Sequence, residues 1–402
     1  MTDRWLTSVR AGRLGLLALV LTCLAAALPQ AATAQTATPA PYRVTVIVSD
    51  VGADADRGRL ERRVADAWTA RQRGRGGIFG RPLLIDVVSD GGTPAGALRR
   101  AEEALAAGAH ALVCCTSEAA SLRVADLAGQ ARTPLLAPAG ALPEGGPTWA
   151  FALEPDDVTT LRATVRDAYA RGLLQLGLAT LEGPFGDAVR ARLDGFLAAP
   201  GLEVVGDVRY PPDATVLTPE ALQLAVRQPD AVLLWGLRRD GLLALDGLRA
   251  RGWTGPVYLR PAAWGADAGG LPGADAGDVR LLASPASLPE ALSADDPALP
   301  WIAEARALGA GRLESRPLRA DGARMHDALT LLALAFEQVE TYGIDVAVDA
   351  VTRSALRDAL LGLPPRQLAA GGYDLQDGDP RSATPDGLRA VRVDGPRLVP
   401  LR

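Results

Sequence analysis

Residues 109–137 read AHALVCCTSEAASLRVADLAGQARTPLLA, and the fold turns on how they are parsed. Ala109–Cys115 is a short apolar run of strand length. Ala119–Gly129 has the amphipathic period of a helix, and Pro134–Ala137 is a second strand. Strand, helix and strand within thirty residues make a βαβ unit, whose two strands run parallel because the helix carries the chain back across the sheet.

The same alternation continues in both directions. Upstream, Arg43–Val48 and Leu83–Val88 are strand candidates, with Leu60, Val64 and Ala67 on one helix face between them. Leu98, Ala101 and Leu105 mark a further helix. After Trp149 the pattern restarts: Val158, Leu161 and Val165 lie on a helical face, Leu174–Thr180 is a strand, and Val189, Leu193 and Phe196 form another helix face. Leu202–Gly206, Ala231–Trp235 and Pro256–Leu259 are further strands. Such continuous apolar runs are characteristic of parallel strands buried on both faces. The expected fold class is α/β, with two Rossmann-like units in series.

Residues 284–300, rich in Pro, Ser, Ala and Asp, read as a crossing or surface segment. Beyond it, Met325, Leu329, Leu332, Phe336 and Val339 repeat at steps of four and three on one helix stripe, which Gly343 ends. Such a stripe is core. Residues 371–402 read as hairpin structure.

At the amino end, Arg4, Arg10 and Arg13 precede an apolar run, Leu14–Leu28, that leads to Ala32-Thr33-Ala34 and Gln35. This is the pattern of a secretory signal peptide over residues 1–34, cut between Ala34 and Gln35. Cys23 suggests lipid attachment as a lesser alternative, but Thr22 before it suits that processing poorly. Loss of the leader removes three arginines and one aspartate from 42 basic and 47 acidic residues, leaving a net charge of about −7. An acidic chain does not suit a nucleic-acid partner. All the basic side chains other than histidine are arginine; lysine is absent. Beyond the leader only Cys114 and Cys115 remain. Being adjacent in a buried strand they are not expected to bridge, so no disulfide framework is read.

Catalytic patterns are absent. His110 and His326 are far apart and are read as structural. No HExxH, paired CxxC, G-x-S-x-G or lysine-bearing phosphate loop occurs. Gly74-Arg75-Gly76-Gly77 precedes a strand, so it is a loop and not a phosphate cradle. No cofactor or metal is expected. An Asp/Glu acid–base pair in an envelope enzyme is the least favoured reading.

The order of short motifs resembles a known family. Gly76-Gly77-Ile78-Phe79-Gly80-Arg81-Pro82 stands between the first helix and second strand, and Asp90-Gly91-Gly92-Thr93-Pro94-Ala95 follows that strand. Thr116-Ser117-Glu118-Ala119-Ala120 opens a helix, and Pro134 to Ala141 closes a strand. Phe151 to Asp157, with Pro155, makes a crossing; Phe185-Gly186 and Pro229-Asp230-Ala231-Val232 follow. Over nearly the whole mature chain this resembles the type I periplasmic solute-binding proteins, in particular the branched-chain amino acid (Leu/Ile/Val) receptors of ABC importers.

The resemblance implies two α/β lobes with parallel sheets joined by three hinge crossings, residues 42–153 plus 286–369 forming one and 157–282 plus 373–402 the other. It implies a small-molecule solute in the cleft, an inner-membrane ABC permease as partner, a monomer, and no catalysis. Ser117 or Glu118 falls at the first ligand position, depending on a one-residue choice of alignment. Ala141 lies at the second, with Ala139 a further ligand-binding candidate beside it; Phe185 replaces a tyrosine, Leu237 falls near another, and Ala262 replaces the second-lobe acid. Trp264 and Trp235 are expected nearby, lining either cleft or core. Asp50, Asp54 and Asp56 stand where the family has a small-residue turn. These changes remove partners that an α-amino acid needs, so tight leucine binding is not expected and a less polar acid is favoured. A sensing or regulatory module on the same fold is the alternative reading.

Overall fold

The computed structural model describes residues 39–140, 142, 145, 148–236, 238–261, 277–308, 318–344, 349–376, 378–394 and 397–401. Residues 40–402 form one compact unit.

The first sheet has the order β2-β1-β3-β4-β5, from β1 (Tyr42–Val48), β2 (Leu83–Ser89), β3 (Ala111–Cys114), β4 (Leu135–Ala137) and β5 (Ala150–Ala152). All its pairings are parallel. Helices α1 (Ala55–Gly74), α2 (Pro94–Ala106) and α3 (Glu118–Gln130) are its crossovers. Alternation along β1 sends Val44, Val46 and Val48 into one apolar layer and Ile47 into the other. Both faces are therefore buried.

The second sheet follows α4 (Asp157–Ala170). Its order is β15-β14-β10-β9-β8-β6-β7, with β6 (Gln175–Leu181), β7 (Glu203–Tyr210), β8 (Ala231–Trp235), β9 (Val257–Leu259) and β10 (Val279–Ala283) parallel. The hairpin β14 (Arg389–Asp394) and β15 (Arg397–Pro400) is added antiparallel. Its helices are α5 (Pro184–Asp194), α6 (Thr218–Ala225) and α7 (Arg238–Ala250).

Late in the chain, α8 (Leu299–Leu308), α9 (Arg319–Thr341) and α10 (Asp349–Leu361) pack back on the first sheet. Ile302, Leu329, Phe336 and Leu356 share a core with Tyr42 and Trp68. The stripe Met325, Leu329, Leu332, Phe336, Val339 is buried throughout. The strand β10 and the helices α8 and α10 carry weaker local signals and escaped the periodicity reading.

Three chain segments join the sheets side by side. The Ala152 N–H donates to Pro380 O (2.7 Å), and the Ser382 N–H donates to Ala152 O (3.2 Å). Ser284 Oγ, just after β10, donates to Ala370 O (2.7 Å). The small antiparallel sheet β11-β12-β13, from β11 (Arg366–Gln367), β12 (Gly372–Tyr373) and β13 (Ala383–Thr384), belongs to this region. Arg389 of β14 grips Asp296 with two hydrogen bonds (2.7 and 2.9 Å), tying the hairpin to the stretch before α8.

One expectation is corrected. Cys114 and Cys115 are joined by a disulfide. The peptide bond between them is cis. Both histidines are buried. His110 is 1% exposed and accepts the Arg43 N–H at Nδ1 (3.1 Å), with burial as the main cause pulling its pKa down.

Candidate functional site

In a parallel sheet the loops after successive strands gather at one edge, where open α/β folds bind ligands. Here the loops after β1, β2 and β3 are chained by hydrogen bonds. Ser49 Oγ donates to Asp90 Oδ2 (2.6 Å), and the Ser49 N–H donates to Thr116 Oγ1 (2.9 Å). Thr116 Oγ1 in turn donates to Glu61 Oε2 (2.5 Å). The loop after β4 joins through Ser121, whose Oγ donates to Ala139 O (2.7 Å) and accepts the Cys115 N–H (3.3 Å).

This edge is pressed against the start of α3. A Cβ at Gly140 (φ +85°) would lie 2.6 Å from Glu118 Cα, so only glycine lets the β4 loop approach this closely. Ser117 is the N-cap residue of α3, in extended conformation (φ −119°, ψ 148°), but its side chain makes no capping hydrogen bond. A helix start already presents unpaired N–H groups and the positive end of the dipole; here it adds an uncommitted hydroxyl. Arg57 reaches the same place from α1. Its Nη1 donates to Thr116 O (3.0 Å), its Nε lies 3.5 Å from Asp321, and 33% of the side chain stays open.

Behind Thr116 lies a buried charged cluster. Arg324 Nη2 donates to Asp321 Oδ1 (2.6 Å) and Glu154 Oε1 (3.1 Å). Glu154, at the first crossing, also accepts the Gly140 N–H (2.7 Å). Glu61 is 1% exposed. Burial, and secondarily Asp321, raise its pKa against the Thr116 hydrogen bond, Arg57 and Arg324, to about 7.

That shift has a consequence for stability. Between pH 4.5, where glutamate ordinarily titrates, and about 7, the folded chain holds a proton that the unfolded chain releases. Stability is therefore lost as pH rises across this window, by up to about 3 kcal/mol from Glu61 alone. Glu61→Gln should be the more stable protein at pH 8 and flatten this slope. Urea midpoints of both proteins at pH 5, 6, 7 and 8 check it; parallel curves would refute the assignment.

Ser117, Glu118 and Ala139 are thus brought together with Gly140. Ala139 itself is 1% exposed, with its carbonyl engaged by Ser121. In the second lobe, Phe185 is half-buried at the start of α5, with the Arg260 guanidinium 5.2 Å from its ring centroid. Arg260 holds Asp157 through two hydrogen bonds (2.6 and 2.7 Å). Ala141, Leu237, Ala262 and Trp264 lie outside the described residues. Trp235 is fully buried among Leu161, Leu178 and Leu282, so it is core and not cleft.

Arg57, Glu61, Asp321 and Arg324 were not singled out from sequence, and Thr116 and Glu154 were noted only as parts of motifs, not as site residues. Glu61 did leave a signal: a carboxyl at helical spacing with Val64, Ala65 and Trp68 on a buried face. Two surface grooves lie elsewhere, of about 600 Å3 beside Tyr342, Ile344 and Val351 and about 420 Å3 beside Asp126, Gln130 and Trp149. Neither includes a residue expected to bind solute. The second sits by the amino end of β5, the wrong edge for a ligand site of this fold.

The chain matches the family model described as periplasmic binding protein over residues 41–395. Among solved structures, it is similar to a putative branched-chain amino acid ABC transporter from Rhodospirillum rubrum (20% identity, TM-score 0.71). It is also similar to an extracellular ligand-binding receptor from Rhodopseudomonas palustris (21%, TM-score 0.66). A third is an ABC transporter substrate-binding protein from Desulfitobacterium hafniense in complex with Leu (18%, TM-score 0.66). Each similarity covers 90% of this chain and 100% of the other. At these identities the likeness to solved structures shows the fold. No curated protein matches.

Proposed function

The chain belongs to the periplasmic binding protein family, and on that premise we propose that it is the extracytoplasmic substrate-binding protein of an ABC importer, closing on a small carboxylate-bearing solute. The lobes are 42–153 plus 286–369 and 157–282 plus 373–402. The partners are the solute and an inner-membrane permease, and residues 1–34 form the leader. The proposed site comprises Ser117, Glu118, Ala139, Ala141, Phe185, Leu237, Ala262 and Trp264, to which Arg57 is added. No catalytic step is assigned to it.

The observation that carries this reading is the start of α3. There an uncapped serine, free helix N–H groups and a partly open arginine converge at the carboxyl ends of parallel strands. All three favour an anion. Glu118, exposed at the first turn, supplies an acceptor for a hydroxyl or amino group. The names of the similar structures, which include receptors of branched-chain amino acid transport, support the transport role.

The test is a thermal-shift screen of the mature chain against amino acids, short carboxylates, aromatic acids and alcohols. A ligand of the closed form stabilises by RT ln(1 + [L]/Kd). A carboxylate is expected to raise the melting temperature, and Arg57→Gln to weaken that carboxylate by about tenfold, the worth of one charge-assisted hydrogen bond. Leucine is expected to bind weakly; a sub-micromolar Kd for it overturns that exclusion. A panel without a single shift would favour a sensing module with a protein partner.

A further inference from the structure

Thr116 is a junction. Its hydroxyl accepts from the β1 loop at Ser49 and donates to Glu61 on α1, and its carbonyl accepts from Arg57. The next residue is Ser117, and α3 begins at Glu118. Whatever changes at Glu61 is therefore delivered, through one hydroxyl, to the backbone that presents the helix start.

Glu61 is built to change. Its Oε2 is held by Thr116, while Oε1 is buried with no hydrogen-bond partner among the described residues. The charged groups around it come from three places. Arg57 lies on its own helix, and Asp321 and Arg324 face it from α9. Glu154 of the first crossing binds Arg324, and Arg319 lies 3.6 Å from Asp321. An ionised Glu61 leaves one buried oxygen without a donor, which is costly. A protonated Glu61 keeps an acceptor for Thr116. With burial lifting its pKa to about 7, both forms are populated at neutral pH.

We propose that Glu61 is a positioning residue of the solute site, and that an anionic solute docking at the start of α3 is accompanied by net proton uptake from solvent onto the Glu61 carboxylate. The solute half of this statement rests on the function proposed above. A second negative charge brought near a buried carboxylate is weakly screened, and protonation removes the repulsion. By linkage, anion affinity falls as pH rises through the Glu61 titration.

The first measurement needs no solute, so it is independent of the proposed function. The 1H–15N spectrum of the mature chain is followed from pH 5.5 to 8.5 at the amides of Ser49, Thr116, Ser117 and Glu118. A common midpoint near pH 7 is expected, absent in Glu61→Gln. In Thr116→Val the carboxylic-acid infrared band of Glu61 should still titrate, while the Ser49 and Ser117 amides cease to follow it. Amides that stay still, or that move equally in Glu61→Gln, overturn the positioning role.

The second measurement uses acetate as probe, which remains ionised from pH 6 to 8. Its affinity should fall about fivefold over that range in the wild type, the size expected if the bound anion raises the Glu61 pKa by about one unit, and change less than twofold in Glu61→Gln. Acetate binding with no pH slope, beside titrating amides, overturns the proton linkage. Absence of acetate binding beside titrating amides overturns the anion reading of the site and the linkage with it, while the positioning role stands.

Discussion

Asp327→Ala should lower stability by about 4 kcal/mol, a large share of the ~5–15 kcal/mol that usually holds a protein folded. The Asp327 side chain has no exposure. One carboxyl oxygen accepts the Ala369 N–H (3.1 Å), and the other accepts the Ala370 N–H (2.7 Å) and the Tyr373 hydroxyl (3.1 Å). His326 Nδ1 lies 3.2 Å away. Burial, reinforced by Asp327, pushes the Tyr373 phenol well above its ordinary value, so it remains a donor. Alanine would strand two backbone donors and a phenol in the core, each costing about 1–3 kcal/mol when left unpaired. Residues 369–373 lead into the small sheet at the lobe junction, so the damage falls where the lobes are joined. Asp327→Asn keeps an acceptor but turns an amide N–H toward other donors, and should lose about half as much. Urea denaturation midpoints at pH 7 decide the matter. A loss below about 1 kcal/mol for the alanine variant would mean that the segment finds other partners.

Arg324→Met is expected to cost about 3–5 kcal/mol, the usual penalty when one partner of a buried ion pair is removed. The guanidinium is 6% exposed and bridges Asp321 to Glu154. Methionine fills much of the same volume but leaves the 6%-exposed Asp321 to the more open Arg57 and Arg319 alone. The loss should grow with pH. Arg324 is among the charges that hold the Glu61 pKa down; without it Glu61 moves further up, so more stability drains away as pH rises above the ordinary glutamate range. Urea midpoints at pH 5 and pH 8 test both parts. An equal loss at the two pH values would show that Arg324 and Glu61 are not coupled. Because Glu154 also takes the Gly140 N–H, this variant should weaken carboxylate binding as well, which the thermal-shift screen reads directly.

Much of the fold is legible in short windows. The unit around Ala111–Cys114 and Glu118–Gln130, the strand Ala231–Trp235 and the stripe from Met325 to Val339 each announce themselves by local period, because a buried face must repeat at the pitch of its own backbone. Motif order carried the reading to the family. The short strand Ala150–Ala152 overlaps the stretch read as a crossing, and α8 opens with Leu299-Pro300, which reads locally as a break.

The candidate site divides in the same way. Ser117 and Glu118 could be found because a helix start is a local event. Arg57, Glu61 and Arg324 could not, since their partners are far away in sequence: Glu61 meets Thr116 across 55 residues, and Arg324 meets Glu154 across 170. Trp235 was ambiguous for a related reason. A strand end can face cleft or core, and only the packing of Leu161, Leu178 and Leu282 around it decides. The sequence by itself determined most of the strands and helices, their α/β alternation and the family, because backbone geometry and hydrophobic period act within a few residues. Tertiary structure alone decided which charges are buried together, that the adjacent cysteines bridge, and that Glu61 holds the loop of the site, because desolvation and hydrogen bonding depend on neighbours that only the folded chain brings within a few ångströms.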